Sequence, residues 1–153
     1  LMFYTTDPAH KINSIRHVFK YGGYCFHPPQ PTIEKNTREA CCFSKTNHVA
    51  RGAIGVMTYQ ICTDDKRCFG ELAIMFSVPY DYNFFRNWFA LGIYERPISC
   101  DYNLFYQMYY NNGSFTRAKG KGNSIDYTGK HAYVTGTMSA FGQSIMKVEF
   151  RDR

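Results

Sequence analysis

The stretch Phe76-Ser-Val-Pro-Tyr-Asp-Tyr-Asn-Phe-Phe-Arg-Asn-Trp-Phe89 decides how this chain is interpreted. Seven of its fourteen residues are aromatic, yet Pro79, Asp81 and Asn87 belong to residue types that favour turns and loops. A buried strand alternates or runs apolar and does not carry this much turn chemistry. The stretch therefore predicts an outgoing strand, a loop crowded with aromatic rings and a returning strand. Because exposed rings cost solubility unless something binds them, we interpret the loop as a recognition surface.

The residues around this stretch predict a mostly β chain. Abundant Tyr, Phe and Gly favour strands and turns over helices. With 153 residues and no repeat or linker, a single domain over residues 1–153 is predicted. Cys25–Pro31 carries three prolines and is predicted as an extended edge or loop. The predicted strands are Ala53–Ile61, Glu71–Val78, Trp88–Tyr94, Ala132–Met138 and Ser144–Phe150.

One segment, Ser99–Gly113, departs from the strand pattern and predicts a short helix. Its apolar residues recur with the period of one helix face, at Leu104, Phe105, Met108 and Tyr109. Ser99 or Asp101 can cap its start, and Gly113 suits its end. A helix this short is stabilised mainly by packing on a sheet. Some of its rings therefore belong to the core, and the rest are free to face a ligand.

The cysteines predict no metal site. None of the six forms a Cys-x-x-Cys pair, and no two histidines have zinc-site spacing, so neither a metal nor another cofactor is expected. Cys62 and Cys68 flank Thr63–Arg67, which has the composition of a hairpin turn. A disulfide across its neck and a pair of free buried thiols are both open interpretations, and we favour the free thiols.

The charge pattern and the motifs indicate neither a nucleic-acid-binding protein nor an enzyme. A net charge of +6 and a pI near 9.0 suit an anionic partner such as a membrane surface, a polyanionic glycan or nucleic acid. The densest basic run, Arg117–Lys121, is short and no nucleic-acid-binding module accompanies it, so no nucleic-acid partner is predicted. The nucleophile-elbow, phosphate-loop and zinc-protease motifs are absent, and the five histidines lie far apart. We therefore predict that the chain is not an enzyme.

The segment Leu72–Phe89 resembles the signature of actinoporins, the pore-forming cytolysins of sea anemones with relatives in fish and other animals. Three further stretches are similar to the same family: Arg51–Val56, Phe105–Tyr110 and Ile145–Phe150. Together the matches extend over roughly residues 16–150. The resemblance implies an actinoporin-like β-sandwich with one short helix retained and the family's N-terminal helix absent from this chain.

The resemblance also implies a pocket for the phosphocholine headgroup of sphingomyelin or phosphatidylcholine. Phe85 and Phe105 stand where the family has tyrosines, and Ile54 stands where it has a valine. The implied headgroup-binding residues are Lys20, Tyr21, Ile54, Ser77, Pro79, Phe85, Phe105, Tyr109 and Tyr110. The aromatic residues implied to dock on the membrane are Tyr82, Phe84, Phe85, Trp88 and Phe89.

The chemistry of these residues suits a choline headgroup. Aromatic faces hold a quaternary ammonium, with about 0.5–2 kcal/mol for each contact. Those faces survive the loss of two hydroxyls at Phe85 and Phe105, while Ser77, the two tyrosines and Lys20 or Tyr21 are candidate partners for the phosphate. For Phe105 alone, plain packing of the helix on the sheet is an equally good interpretation.

The family's pore is built from an N-terminal amphipathic helix. Crossing ~30 Å of hydrocarbon at ~1.5 Å per residue takes about 20 helical residues. Residues 1–24 are not expected to supply them, since Pro8 interrupts the segment and Gly22-Gly23 ends it. Pores made by a homo-oligomer are therefore expected only if such a helix lies upstream of Leu1.

Two alternatives stay open beside membrane binding. One is a carbohydrate-binding module, because fungal fruit-body lectins share this fold and aromatic platforms also stack on sugars. The other is a membrane-inert domain that binds proteins. The resemblance implies a secreted protein or one at a target-cell membrane, with cytosolic storage left open.

Overall fold

The structure, a computed structural model, describes residues 52–63, 65, 67–140 and 144–151 with their side chains. For residues 2–6, 11–21, 23–27, 32–33, 39–45 and 152 it describes the backbone in strands. The elements in chain order are β1 Met2–Thr6, β2 Lys11–Tyr21, β3 Gly23–His27, β4 Thr32–Ile33, β5 Glu39–Lys45, β6 Ala53–Cys62, β7 Cys68–Val78, β8 Trp88–Tyr94, α1 Tyr102–Tyr110, β9 Phe115–Lys119, β10 Ser124–Thr128, β11 Ala132–Met138 and β12 Ile145–Asp152.

The described strands form two sheets of six strands each. The first sheet has the order β10-β11-β12-β1-β5-β3, and the second has the order β4-β2-β6-β7-β8-β9. Neighbouring strands are antiparallel except for β1 and β12, which pair in parallel. The prediction of a mostly β sandwich with one short helix is confirmed.

The second sheet is covered on both faces, and this explains its apolar strands. On β7, Leu72, Ile74 and Phe76 pack between the two sheets against β11 and β12. The alternate residues Ala73 and Met75 face the other way and pack against α1. Side chains alternate across a strand, so covering both faces buries every residue in its middle. The continuous apolar run that predicts β7 and β8 follows from this double burial.

The helix α1 lies on the outer face of the second sheet. Asp101 caps its start, because the carboxylate Oδ1 accepts a hydrogen bond from Leu104 N at 2.9 Å. Leu104, Phe105 and Met108 are its buried residues. The predicted helix is therefore confirmed at nine residues. Among the residues that the structure describes, no helix is long and apolar enough to cross a membrane.

The five strands predicted between residues 53 and 150 are confirmed, whereas β1, β2, β4 and β5 in the N-terminal part of the chain and the later strands β9 and β10 were not predicted. The strands at 88–94 and 132–138 have the predicted bounds, and the strands that begin at Ala53, Cys68 and Ile145 differ from prediction by one to three residues. The predicted extended edge at 25–31 corresponds in part to β3, and its last four residues lie outside the described residues. The strands β9 and β10 were missed because their mixed polar and apolar residues are half-buried or exposed.

The expectation of two free thiols at the β6–β7 hairpin is wrong. Cys62 and Cys68 form a disulfide, with their Cα atoms 4.0 Å apart. The physical reason lies in the pairing of the strands, because the two residues stand directly opposite each other where β6 and β7 meet the turn. Sequence spacing alone does not show that opposition.

Reduction of this disulfide should destabilise the hairpin. For a closed loop of this length, the loss of a cross-link lowers the free energy of unfolding by about 2 kcal/mol. Urea unfolding of the Cys62→Ala/Cys68→Ala double variant should show this loss relative to the wild type. A reducing agent should bring the wild type to the value of the double variant and leave the double variant unchanged. Equal unfolding midpoints for the two proteins without reductant would contradict the prediction.

Candidate functional site

An open cleft lies between the β7–β8 connection and the C-terminal half of α1. Its volume is ≈ 690 Å³, within the range of roughly 300–1,000 Å³ that is typical of sites for small ligands. We call residues 79–87, which join β7 to β8, the aromatic loop. The cleft is lined by Gly52, Ile54, Ser77, Pro79, Tyr80, Asp81, Phe84, Phe85, Arg86, Trp88, Phe105, Tyr109, Tyr110 and Lys119.

The aromatic loop is held in shape by its own polar groups. Asp81 Oδ1 accepts from Asn83 N at 2.8 Å, and the Asp81 carbonyl accepts from Phe85 N at 3.1 Å. The guanidinium of Arg86 donates to the carbonyl of Phe85 at 3.0 Å and also to the carbonyl of Tyr82. The loop therefore keeps its conformation without burying its rings, and Phe85 is 60% exposed.

A buried amide, that of Asn87, fastens the end of the loop to the opposite sheet. Its side chain is fully buried, and Nδ2 donates to the Ser139 carbonyl at 2.8 Å and to Ser144 Oγ at 2.6 Å. Its Oδ1 accepts from the Tyr82 hydroxyl at 2.8 Å. Ser139 and Ser144 lie between β11 and β12, so this one amide ties the loop to the first sheet.

The C-terminal end of α1 is held by the neighbouring strand. Arg117, on β9, donates to the carbonyls of Met108 at 2.8 Å and Asn111 at 2.7 Å. These carbonyls belong to the end of the helix, where intrahelical donors run out and the helix dipole favours a cation. Arg117 thereby fixes the turn of the helix that carries Tyr109 and Tyr110.

Tyr94 makes a second link between α1 and the sheet. Its hydroxyl donates to Gln107 Oε1 at 3.3 Å, and only 4% of the residue is exposed. Burial raises the pKa of Tyr94 to about 12, because the phenolate would lose its hydration there. The group is therefore neutral at physiological pH and can serve as a donor to the helix.

Aromatic faces form the helix side of the cleft. Phe105 and Tyr109 stack with their centroids 5.5 Å apart, and Tyr109 meets Tyr110 edge to face at 4.7 Å. Tyr110 in turn stacks on Tyr106 at 5.8 Å. Phe105 is only 2% exposed and forms the floor, whereas Tyr110 is 62% exposed at the rim. Clustered aromatic faces of this kind can hold a cation.

A lysine forms the other side of the cleft. Lys119, on β9, pairs in register with Trp88 on β8, and its Nζ lies 5.6 Å from the centroid of the Trp88 ring. Arg86 lines the same side. The cleft is thus polarised, with exposed aromatic faces at the helix and cationic side chains near the loop and β9.

The structure brings together most of the residues predicted for headgroup binding. The members that line the cleft are Ile54, Ser77, Pro79, Phe85, Phe105, Tyr109 and Tyr110. Lys20 and Tyr21 end β2, where the strand is described but the side chains lie outside the described residues. Phe105 serves both interpretations, since it packs α1 on the sheet and also forms the floor of the cleft. Binding of a headgroup by these residues stays a prediction.

The residues predicted to dock on a membrane divide into three groups. Phe84 and Phe85 are exposed, Phe84 by 80%. Trp88 and Tyr82 are half-buried, and Tyr82 uses its hydroxyl to bind Asn87. Phe89 is fully buried in the core between the sheets, so its assignment to the docking surface is wrong. It is the second residue of β8, and its side chain points inward where its neighbour Trp88 points toward the cleft.

The sequence did not identify several residues that build the site. Tyr80, Asp81, Arg86 and Lys119 line the cleft, and Gly52 completes it. Asp81 was interpreted only as a turn residue. Lys119 was part of a basic run that was considered only for nucleic acid, and only its pairing with Trp88 across β8 and β9 shows its place. Among the described residues, no cluster of His, Cys, Asp and Glu could hold a metal ion.

Comparison with known proteins identifies the family. A family model described as sea anemone cytotoxic protein matches residues 30–152. The chain belongs to this family, the actinoporins. Bryoporin from Physcomitrium patens is 30% identical over 118 residues, which cover 76% of this chain and 64% of that protein. DELTA-thalatoxin-Avl1b from Actineria villosa is 41% identical over 64 residues, which cover 42% of this chain and 26% of that protein.

Among solved structures, the fold matches that of the lipid binding protein Nakanori. The TM-score is 0.75 at 11% sequence identity, and the match covers 99% of this chain and 70% of that one. At this identity the likeness concerns the fold alone. The alignments with these relatives thus cover from about a quarter to about two-thirds of each relative's own length.

The Asn87 amide is expected to be the main polar contribution to the stability of the loop. Asn87→Ala removes the side-chain hydrogen bonds and leaves the part-buried Ser139 carbonyl and the buried Ser144 hydroxyl without that partner. The free energy of unfolding should fall by about 2–4 kcal/mol, and Tyr82→Phe, which removes one donor, should cost about 1 kcal/mol. Urea unfolding measures both, with Asn83→Ala in the same loop as an exposed control. A loss for Asn87→Ala no larger than for Asn83→Ala would contradict the assignment.

Proposed function

We propose that this chain binds membranes by seating the phosphocholine headgroup of sphingomyelin or phosphatidylcholine in the cleft. The observation that carries the proposal is the juxtaposition of an aromatic cleft with a loop whose rings face solvent. Membership of the sea anemone cytotoxic family and the fold shared with a lipid binding protein support it. No enzymatic step is part of the proposal.

The quaternary ammonium goes to the helix side of the cleft. Tyr109 and Tyr110 present aromatic faces there, with Phe105 beneath them, and Phe85 lines the cleft from the aromatic loop. Each face in contact with the ammonium contributes about 0.5–2 kcal/mol, depending on how fully the cation is desolvated. The ammonium has no hydrogen to donate, so apolar walls such as Ile54 cost it no hydrogen bond.

The phosphate lies next to the ammonium, within reach of the hydroxyl groups that line the cleft. Ser77 lies in the wall of the cleft, and its hydroxyl has no hydrogen-bond partner among the described residues. The hydroxyls of Tyr109 and Tyr110 are further candidate donors at the rim. Phe84 and Phe85 then enter the interfacial region of the bilayer, where burial of the rings replaces their exposure to water.

Pore formation by a homo-oligomer is proposed on condition that an amphipathic segment lies upstream of residue 1. The described backbone between residues 2 and 21 is in strands β1 and β2, so it does not supply that helix. The Cys62–Cys68 disulfide suits an oxidising compartment and supports secretion toward a target-cell membrane.

Removing one cleft ring should weaken binding to choline lipids. Tyr110→Ala removes an exposed aromatic face, so its partition onto vesicles of phosphatidylcholine and sphingomyelin should fall roughly 5- to 30-fold, the equivalent of about 1–2 kcal/mol. Tyr110→Phe keeps the face and should lose less. Tyr102→Ala is the matched control, because Tyr102 is 50% exposed on the same helix and does not line the cleft.

Vesicle pelleting measures these effects, with phosphatidylethanolamine vesicles as the comparison that lacks the quaternary ammonium. Binding that does not distinguish the two headgroups, or equal losses for Tyr110→Ala and Tyr102→Ala, would overturn headgroup recognition. Binding to a glycan array with none to choline vesicles would favour the carbohydrate alternative. Failure to bind either would favour the protein-binding alternative.

Dye release tests the conditional part of the proposal. The chain extended upstream to its native start should release dye from vesicles that contain sphingomyelin, whereas residues 1–153 alone should bind them without release. An extended chain that carries about 20 amphipathic residues, binds the vesicles and releases no dye would contradict pore formation while leaving lipid binding intact.

A further inference from the structure

A second, smaller hollow adjoins the cleft on the side of the aromatic loop. Its volume is ≈ 260 Å³, and its lining residues are Arg86, Lys119, Gly120, Lys121 and Ala140. Arg86 and Lys119 also line the cleft, so the two depressions are neighbours that share these two side chains. Because three of its five lining residues are cations, we call it the basic hollow.

The turn that carries Lys121 is fixed by the backbone. Gly120 N donates to the Asn87 carbonyl at 2.8 Å, and Gly122 N donates to the Met138 carbonyl at 2.8 Å. Gly122 has a φ of 85°, which a residue with a side chain rarely adopts. At Gly120 an added Cβ would lie 3.0 Å from Asn87 and from Met138, so the backbone is packed closely there. The turn is therefore a rigid support for Lys121.

Lys119 is positioned by the ring of Trp88. The Lys119 ammonium lies 5.6 Å from the centroid of the Trp88 ring. A choline group placed on the same ring would therefore bring two cations close together. The choline group is therefore better accommodated at the helix side, and the loop side is left with positive charge. That charge attracts an anion rather than a second ammonium.

The positive charge of the basic hollow is not neutralised by the described acids. The ion pairs among described residues that the structure shows, Arg67–Asp65 and Arg151–Glu149, lie elsewhere. Asp81 is the described acid that lines the cleft, and its Oδ1 accepts from Asn83 N. No described carboxylate lies within ion-pair distance of Arg86, Lys119 or Lys121.

We propose that the basic hollow binds the phosphate of an anionic phospholipid that lies beside the choline lipid in the cleft. This inference rests on the proposed function, because it assumes that the cleft faces a membrane. Arg86 and Lys119 join the two depressions, so one docked molecule would engage two neighbouring headgroups of different charge. The hollow makes the charge composition of the bilayer, and not only its choline content, a determinant of binding.

The test compares vesicles of phosphatidylcholine alone with vesicles in which part of it is replaced by phosphatidylglycerol, whose phosphate carries its only charge. The measured quantity is the ratio of the two partition coefficients. A basic residue near an anionic surface changes binding by roughly fivefold, so Lys121→Gln should lower this ratio about fivefold. Lys119→Gln/Lys121→Gln should lower it further.

Lys130→Gln is the matched control. It removes the same charge from an exposed residue in the turn before β11, whereas the basic hollow lies by the turn after that strand. The ratio should be nearly that of the wild type for Lys130→Gln. Equal effects of Lys121→Gln and Lys130→Gln would show attraction to net charge alone and would overturn the site, as would a wild-type ratio near one.

Two further arms separate the sources of failure. Binding to vesicles of phosphatidylcholine alone tests the proposed function by itself. If the proposed function is wrong, the wild-type protein does not bind these vesicles, whatever the value of the ratio. Inorganic phosphate is compared with chloride at equal ionic strength, because salt screens charge without regard to a specific site. The site is supported if phosphate reduces the extra binding due to phosphatidylglycerol more strongly than chloride does. A phosphate effect without any gain from phosphatidylglycerol would overturn its assignment to a lipid.

Discussion

The amide of Asn87 is the constraint on which the arrangement of the site depends. It is fully buried and uses both its oxygen and its nitrogen, binding Tyr82 within the loop and Ser139 and Ser144 across the sandwich. A buried amide without partners would cost about 1–3 kcal/mol, so the loop and the β11–β12 connection must keep their relative positions. The Asn87 carbonyl also accepts from Gly120. One buried residue therefore holds, through its side chain and its backbone, both the loop beside the cleft and the turn beside the basic hollow.

Among the strands whose side chains are described, β6, β7 and β8 are almost wholly buried, and all three were predictable from sequence. Leu91 and Ala90, next to each other on β8, pack on the opposite sheet and on α1 respectively, and such strands read as apolar runs bounded by turns. Strand β10 alternates exposed with half-buried residues and has no such run. The disulfide was mispredicted for a related reason, since whether Cys62 and Cys68 oppose each other depends on the register of the hairpin. Register is a property of two strands together.

In the candidate site too, residues within one continuous segment were recognisable from the sequence, whereas residues that act through another element were not. The tyrosines at 109 and 110 and the rings of the loop lie in short continuous segments, so their resemblance to a family and their chemistry were visible in the sequence. Arg117 and Lys119 act through partners on other elements, the end of α1 and Trp88. Phe89 shows the opposite error, because a ring in an aromatic segment was assigned to the surface although strand alternation turns it into the core.

The aromatic loop is folded by polar contacts, and this leaves its rings free for another environment. Asp81 and Arg86 hold the backbone of the loop through hydrogen bonds, and Asn87 anchors its end. Phe84 and Phe85 contribute little burial to the fold, being 80% and 60% exposed. Moving such rings from water into an interfacial layer gains about 25 cal/mol for each Å² of apolar surface removed from water, and no internal contact of the loop has to break. A loop stabilised by packing of the same rings would have to lose that packing in order to dock.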